Sequence, residues 1–251
     1  MSKFIDVLQQ TLRGSAPPIG FRKTAEIEGP PIVIAVNLTD LSRKELKQLE
    51  HKNIDAGVLG TQGLDAATFE QCKHLLHETP LGLIIAGDSN IDVSTLVDLG
   101  CDFLVCDLKT PYELINQQKA GKIVLVESAL ESGLARSING IPVDAVLVDT
   151  PESRLNLEHV LVCHRFASII SKPLLVTIRA PLTADALESL HQAGVNGIFL
   201  DTGFPMEAIS DLKKAVDSLP RIPRKRPPAI PLLPRPTPRT QPEIEEEEEE
   251  D

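Results

Sequence analysis

The residues of this chain best placed to do chemistry stand where short apolar runs end. Eight such runs are present, and polar side chains end seven of them. An Asp in this position also caps the helix that follows, but seven polar ends in eight favour a functional polar surface. The end positions, in chain order, are Asn37, Gly60, Asp88, Asp107, Glu127, Asp149, Arg179 and Asp201. Clustered carboxylates cannot all ionise unless their negative charge is compensated. A divalent cation, Arg179 or Lys109 could compensate it, or one carboxylate could be protonated.

Three of these carboxylates are predicted to bind a metal ion. Asp88, Asp107 and Glu127 end the third, fourth and fifth runs. Mg²⁺ prefers carboxylate oxygens and keeps water molecules that a substrate can displace, so Mg²⁺ is the expected cofactor. In this placement the three residues resemble the metal ligands of the enolase superfamily. The sequence departs from that family because it has no N-terminal lid domain and no lysine pair on the second strand.

The candidate catalytic residues are Asp107, Lys109 and Asp149. Asp107-Leu108-Lys109 resembles the Asp-x-Lys motif of the orotidine-phosphate decarboxylase group of barrels, which implies catalytic roles for the two charged residues. In that group a second Asp follows, whereas here Thr110-Pro111-Tyr112 follows. The structural alternative for Lys109 is a solvated side chain just above a helix cap.

Contacts to an anionic substrate are expected at the same polar surface. Arg179 ends the apolar run LLVTI, where an unpaired guanidinium would be costly to half-bury. We therefore expect it to pair with Asp149, with Asp201 or with a bound anion. Many aldolase-type barrels hold phosphate between the loops after strands 7 and 8, although Asp201 would oppose an anion here. The candidate substrate or anion contacts are Asn37, Arg179, Thr202 and Gly203.

The alternation of apolar runs with segments of helical periodicity predicts the fold. Strict alternation implies right-handed βαβ units and a parallel sheet, and the eight units of this sequence close a barrel. The predicted strands are 32–36, 56–59, 83–86, 103–106, 123–126, 145–148, 174–178 and 197–200. The predicted helices are 41–52, 64–77, 91–99, 111–119, 129–138, 153–170, 183–193 and 205–217.

A two-strand repeat runs through the whole chain. The even-numbered strands share the patterns IDAGVLG, CDFLVCD, VDAVLVD and VNGIFLD, and the odd-numbered ones share PIVIAVN, LGLIIAGD, KIVLVES and PLLVTIR. Alternate strands of a barrel fill alternate layers of side chains. The repeat therefore favours a barrel over an open doubly wound α/β sheet, and the chain resembles a generic aldolase-type (β/α)8 TIM barrel.

Two further segments flank the predicted barrel, which covers 31–217. Residues 1–30 are predicted as an N-terminal helix and loop, with an apolar stripe within 2–13 that covers the bottom of the barrel. Residues 218–251 contain nine prolines and six consecutive glutamates, which is typical of a disordered tail leaning towards polyproline II. Its basic and proline-rich part suits a protein partner with a polyproline-binding groove, and a solubilising role without a partner is the alternative.

Composition excludes several classes of function. The net charge of −11 leaves no global basic field for nucleic acid. No run reaches the roughly 18 apolar residues of a membrane span, and no signal peptide is apparent. The four cysteines have no CxxC spacing, which indicates free thiols in a cytoplasmic protein. Cys106 is expected in the core, and the histidines fall in predicted helices, so neither a zinc site nor a His base is expected.

Three functions remain open. The first is a lyase- or isomerase-type enzyme that acts on a small anionic metabolite, with Mg²⁺ as the candidate cofactor. The second is a non-catalytic barrel that serves as a scaffold or regulatory binding module through its tail. The third is a flavin-binding oxidoreductase. The loops after the strands are short, so the barrel acts on a small substrate, borrows a lid from another copy in a homo-oligomer, or has lost catalysis.

Overall fold

The computed structural model is a closed barrel of eight parallel strands, in which neighbours in the sequence pair and the last strand pairs with the first. It describes residues 2–13, 29–50, 52, 54–85, 92–115, 119–152 and 154–220. The strands are β1 (Val33–Asn37), β2 (Ala56–Gly60), β3 (Leu81–Ile85), β4 (Phe103–Cys106), β5 (Gly121–Glu127), β6 (Ala145–Asp149), β7 (Leu174–Ile178) and β8 (Gly197–Leu200). Closure confirms the predicted (β/α)8 barrel and rules out the open doubly wound sheet.

Helices surround the barrel, and α1 precedes the first strand. They are α1 (Lys3–Arg13), α2 (Arg43–Glu50), α3 (Ala66–Leu75), α4 (Val93–Asp98), α5 (Tyr112–Ile115), α6 (Ser132–Ser137), α7 (Leu157–Ile169), α8 (Ala184–Gln192) and α9 (Met206–Asp217), with a 3-10 turn at Ile138–Gly140. Within the described ranges, every helix is too short or too polar to traverse a lipid bilayer. The predicted tail lies outside the described residues from 221 onward, so its disorder and its role as a separate domain stay predictions.

Alternate side chains of each strand point into the barrel. Val33 and Ala35 of β1, like Phe103 and Val105 of β4, belong to one buried cluster inside the barrel, separate from the cluster between sheet and helices. Side chains alternate with a period of two along a strand. The same alternation places the strand-end residues on the inward side, at the carboxyl ends of the strands. These ends form the mouth, and the described members are Asn37, Gly60, Asp107, Glu127, Asp149, Arg179 and Asp201.

The opposite end of the barrel is closed by α1. Phe4, Ile5 and Leu8 are buried in the interior cluster, and the rings of Phe4 and Phe103 lie 4.7 Å apart. A Cβ atom at Gly121 would collide with Ile5 and with Ser2, so the glycine permits the close approach of α1 to β5. The predicted amphipathic helix therefore covers the bottom of the barrel.

One side chain at the base of each even-numbered strand forms a hydrogen bond to the chain beside it. In three of the four repeats this residue accepts from a backbone amide at the start of the preceding strand. The pairs are Ile34 N to Asp55 Oδ2 (2.7 Å), Lys122 N to Asp144 Oδ2 (2.8 Å) and Leu174 N to Asn196 Oδ1 (3.0 Å). The shared geometry explains why an Asp or Asn recurs at this point of the sequence repeat.

The fourth member of this set, Asp102, instead holds α1 in place. Its carboxylate accepts hydrogen bonds from Ser2 Oγ (2.6 Å), Lys3 N (2.8 Å) and Phe4 N (3.0 Å). Amide groups in the first turn of a helix have no partner within the helix, and a carboxylate there also interacts favourably with the helix dipole. Asp102 thus serves as the cap that fastens α1 to the barrel.

The N-terminal ends of two helices, α2 and α7, are fixed by capping boxes. Ser42 and Glu45 form a capping box before α2, since Glu45 accepts from the Ser42 amide at 2.7 Å and Ser42 Oγ accepts from the Glu45 amide at 3.4 Å. Helix α7 begins at Leu157 rather than at the predicted 153. The reason is a capping box of Asn156 with His159, which the sequence pattern for Ser or Thr with Glu does not include.

Replacing Asp102 by Ala should lower the free energy of unfolding by about 2 kcal/mol, because three hydrogen bonds to a carboxylate and a helix cap are lost. Urea denaturation measures the change, and hydrogen exchange should show faster exchange at the amides of α1. The matched control is Asp98→Ala, which removes an ion pair with Lys119 that is largely exposed and should cost no more than about 0.5 kcal/mol. Equal effects of the two substitutions would contradict the capping role.

Candidate functional site

The mouth is organised around the guanidinium of Arg179. Its Nη2 lies 2.9 Å from Asp149 Oδ1 and its Nε lies 3.0 Å from Asp201 Oδ2. Its Nη1 donates to the backbone carbonyl of Thr150. The side chain therefore points into the mouth and pairs with both of the carboxylates that the sequence analysis named as partners.

Asp201 extends this network across β8 to β1. Its Oδ1 accepts hydrogen bonds from Asn37 Nδ2 at 3.2 Å and from the amide of Thr202 at 2.8 Å. Asn37 Oδ1 in turn accepts from the amide of Thr39 at 3.0 Å. Polar side chains at four adjacent strand ends, β6, β7, β8 and β1, are thus joined by hydrogen bonds, and we call Asn37, Asp149, Arg179 and Asp201 the arginine network.

Charge within the arginine network is unbalanced. One guanidinium faces two carboxylates, and the exposed fractions are 27% for Arg179, 36% for Asp149 and 22% for Asp201. Arginine has five N–H donors, and contacts to described residues use three of them. The remaining donors, one on each Nη, have no partner among the residues that the structure describes.

The other side of the mouth holds Asp107, Lys109 and Glu127. Asp107 Oδ1 accepts from the amide of Lys109 at 2.9 Å and from the hydroxyl of Thr110 at 2.8 Å, so this carboxylate also orders the loop after β4. Lys109 and Glu127 are exposed. Glu127 lies beside Asp149 in the register of β5 and β6, which places two carboxylates next to each other at this rim.

The predicted metal site is described only in part. Asp88 lies in 86–91, outside the described residues, whereas Asp107 and Glu127 lie at the mouth. Among the residues that the structure does describe, no three His, Cys, Asp or Glu side chains are arranged to hold a metal ion. The Mg²⁺ site therefore stays a prediction that depends on Asp88.

A cavity of about 410 Å³ opens beside the arginine network, between α2 and α9. Asn37, Asp201, Thr202 and Gly203 line it, so it includes three of the predicted substrate contacts. Three further carboxylates, Asp40, Glu45 and Glu207, line it as well, together with Val36, Thr39, Leu41, Gln48, Phe204, Met206 and Ile209. No Lys or Arg is among these described lining residues, so the cavity is a poor site for a phosphate.

Sequence reasoning missed Glu45 and Glu207 because neither stands at the end of a strand. Each lies in the first turn of its helix, α2 and α9, and the two helices become neighbours only because β8 pairs with β1. The capping box also affects the acidity of Glu45, because hydrogen bonds from the side chain and backbone of Ser42 lower the pKa of its carboxyl. A carboxylate in the first turn of the first and last barrel helices was the signal available in the sequence.

The cysteines take no part in the mouth. All four are free and buried, as the sequence analysis expected. Burial, together with the neighbouring Asp107, raises the pKa of Cys106 to about 11, and Lys122 partly opposes this shift. Burial also raises the pKa of Cys101 and of Cys163 to about 12. Cys106 is therefore a core residue and a poor nucleophile.

Because only the thiolate reacts, the folded protein should react very slowly with a thiol reagent at pH 8. With a pKa of about 11, only about one Cys106 side chain in a thousand is ionised at that pH. We expect the reaction to accelerate as pH rises towards 11, and all four thiols to react at once in guanidinium chloride. Rapid modification of Cys106 in the folded protein at pH 8, located by peptide mapping, would contradict this assignment.

Comparison with solved structures identifies the same fold in enzymes of the aldolase-type barrel class. A mutant of the tryptophan synthase alpha-subunit from the hyperthermophile Pyrococcus furiosus superposes with a TM-score of 0.58 at 15% identity, over 76% of this chain and 98% of that chain. KGPDC from Streptococcus mutans superposes with a TM-score of 0.58 at 13% identity, over 74% of this chain and 97% of that chain. No protein-family model and no curated protein matches the chain. At such low identity the comparison establishes the fold alone, an aldolase-type (β/α)8 barrel.

Proposed function

We propose that this chain is a lyase- or isomerase-type enzyme that binds a small anionic metabolite at the barrel mouth. The observation that carries the proposal is the half-buried guanidinium of Arg179, held between Asp149 and Asp201 with two donors left over. Active sites of (β/α)8 barrels lie at the carboxyl ends of the strands. A planar cation fixed there is suited to bind a carboxylate or phosphate.

An entering anion competes with Asp149 for Arg179. Asp149 is the more exposed of the two carboxylates, and its only described contact in the network is with Arg179. Asp201 is less exposed and is also bound by Asn37 and Thr202. The substrate anion therefore displaces Asp149 more readily than Asp201, and the displaced carboxylate then lies beside the substrate.

This exchange assigns a role to each catalytic candidate. Freed from Arg179, Asp149 becomes a general base for the proton transfers that lyase and isomerase reactions need. Glu127, its neighbour in the sheet register, provides a second carboxylate for the return of the proton. To Lys109, which lies at the rim with Asp107, we assign the stabilisation of negative charge that develops on the substrate.

We further propose that Asp88, Asp107 and Glu127 bind Mg²⁺. Asp107 uses Oδ1 for its loop contacts, which leaves Oδ2 for a cation, and Glu127 is exposed at the same mouth. Carboxylate oxygens suit this hard cation. When bound, the ion would polarise a substrate oxygen and offset the excess of negative charge.

The cavity between α2 and α9 accommodates the rest of the substrate. Its carboxylates disfavour a second anionic group, whereas its apolar lining suits an uncharged or cationic part. Asn37, Thr202 and Gly203 are then substrate contacts. Because the loops at the mouth are short, such as those at 128–131 and 201–205, the substrate is small unless another copy of the chain covers it. The four buried free thiols support a reducing, cytoplasmic location.

Binding of small carboxylates and sugar phosphates, measured by calorimetry across a metabolite panel, tests the proposal. The ligand that binds should bind at least about tenfold more weakly to Arg179→Ala, since a charge-assisted hydrogen bond contributes about 1.5–3 kcal/mol. Arg179→Lys should retain an intermediate affinity, and mass spectrometry of the incubated ligand should show turnover that Asp149→Asn abolishes.

The matched control is Arg165→Ala. Arg165 is also half-buried and also donates to a backbone carbonyl, that of Ser128, but it lies outside the arginine network. Circular dichroism establishes that each variant is folded. Unchanged affinity in both Arg179 variants, or equal losses in Arg165→Ala, would overturn the role of Arg179.

Titration with Mg²⁺ or Mn²⁺ at millimolar concentration should give saturable heat. Asp107→Asn should weaken that binding about tenfold or more, because a carboxylate ligand is replaced by a neutral one. Asp185→Asn, an exposed carboxylate in the first turn of α8, should leave binding unchanged. If neither metal ion binds the wild-type protein, the magnesium site is wrong, while the proposal for Arg179 stands or falls on its own assay.

A further inference from the structure

A second concave surface lies on the outside of the barrel, between α2 and α3. It encloses about 290 Å³ and is lined by Arg43, Lys44, Lys47, Gln71, His74 and Leu75. We call it the basic groove. It belongs to the helical layer, so it is separate from the mouth and from the arginine network.

The charge of the basic groove differs from that of the chain around it. Its described lining includes three cations and no carboxylate, whereas the whole chain carries a net charge of −11. Among the described residues, none of the three cations is in an ion pair, and Arg43 donates to the neutral side chain of Gln71. Glu45, the nearest carboxylate in the sequence, is bound by Ser42 and lines the cavity towards α9 instead.

We propose that the glutamate run at 245–250 of the same chain docks in the basic groove. Six adjacent carboxylates repel one another in water and gain most from a surface that presents several cations together. Helix α2 presents three cations within one and a quarter helical turns, namely Arg43, Lys44 and Lys47. Consecutive glutamates can therefore each pair with one of them. Leu75 adds a small apolar contact for the methylene groups of those side chains.

The position of α9 brings the run within reach. Helix α9 lies next to α2, since Glu45 and Glu207 of these two helices line one cavity, and Lys52, two residues after α2, donates to the carbonyl of Met206 at 2.6 Å. The basic groove is on the other side of α2, towards α3. The chain is described as far as Pro220, and 24 residues, 221–244, separate it from the run. As a polyproline II helix these span roughly 75 Å, whereas a domain of this size is only about 45 Å across.

The alternative partner of the glutamate run is the basic cluster within 221–226 of the same segment, which consists of Arg221, Arg224, Lys225 and Arg226. The residues between the two, 227–244, contain seven prolines, which stiffen the chain and oppose the sharp reversal that such pairing needs. The basic groove is held on two helices of the barrel and is already formed. For these reasons the groove is the favoured partner, and a separate acidic protein would have to compete with the chain's own glutamates for it.

Paramagnetic relaxation in the full-length protein tests this docking. A nitroxide attached to Asp251→Cys reports where the run lies, and the native cysteines escape labelling because they are buried. Amides of 43–47 and 71–75 should broaden strongly. The broadening should fall severalfold in Lys44→Glu/Lys47→Glu and at about 1 M salt, where the Debye length is about 3 Å.

The matched control is Arg136→Glu/Arg154→Glu, which makes the same change in net charge at exposed arginines outside the basic groove and should leave the broadening intact. Replacing the six glutamates at 245–250 by Gln should abolish it. The substitutions within the barrel change exposed residues, and unchanged amide spectra elsewhere in the barrel show that the variants fold. Broadening confined to 221–226, or broadening of α2 and α3 that survives Lys44→Glu/Lys47→Glu, would overturn the proposal.

Discussion

Closure of the sheet is the constraint on which the rest of this structure depends. A closed barrel has an inside, so every second side chain of every strand must be small or apolar until the strand ends. With few aromatic residues in the chain, that interior is filled largely by Val, Ala, Leu and Ile, with Phe103, Phe199 and Phe4 as the large members. Polar side chains occur only after the last packed layer, at the ends of the strands. Because alternate residues of a strand face inward, these side chains point towards the barrel axis at the mouth.

The two ends of the barrel use the same residue types for different purposes. At the base, Asp55, Asp144 and Asn196 bind amides of neighbouring strands and so stabilise the strand pairing. Asp102 departs from this pattern, and its carboxylate fastens the helix that seals the base. At the mouth, no helix of the described ranges closes the interior, and the carboxylates meet Arg179 instead. The base carboxylates bind backbone amides, and Asp55 also pairs with Lys213, whereas the mouth carboxylates Asp149 and Asp201 pair with a guanidinium at the open end of the barrel.

Much of this could be predicted from the sequence, because the repeat records the layering of the barrel. The strands at 103–106, 174–178 and 197–200 were predicted with the bounds observed, since each is a short apolar run with a polar residue after it. The start of α7 was missed because an Asn156 and His159 cap replaces the commoner residue pair. The cavity between α2 and α9 could not be predicted from local pattern, because its walls come from opposite ends of the sequence and meet only on closure.

The pairing of Arg179 shows how far sequence reasoning reaches at the mouth. An arginine after an apolar strand needs a partner, and the sequence predicts Asp149 or Asp201. Arg179 contacts both at once because β6, β7 and β8 are adjacent in the barrel, which the local sequence pattern does not reveal. The two carboxylates of this double contact are held unequally. Asp201 keeps two hydrogen bonds, from Asn37 and from the Thr202 amide, when its guanidinium partner is taken away, whereas Asp149 is returned to water. In the function proposed above, an arriving anion would displace Asp149 from Arg179, because Asp149 is the more exposed carboxylate and is readily solvated. The displaced Asp149 would then be available as a base.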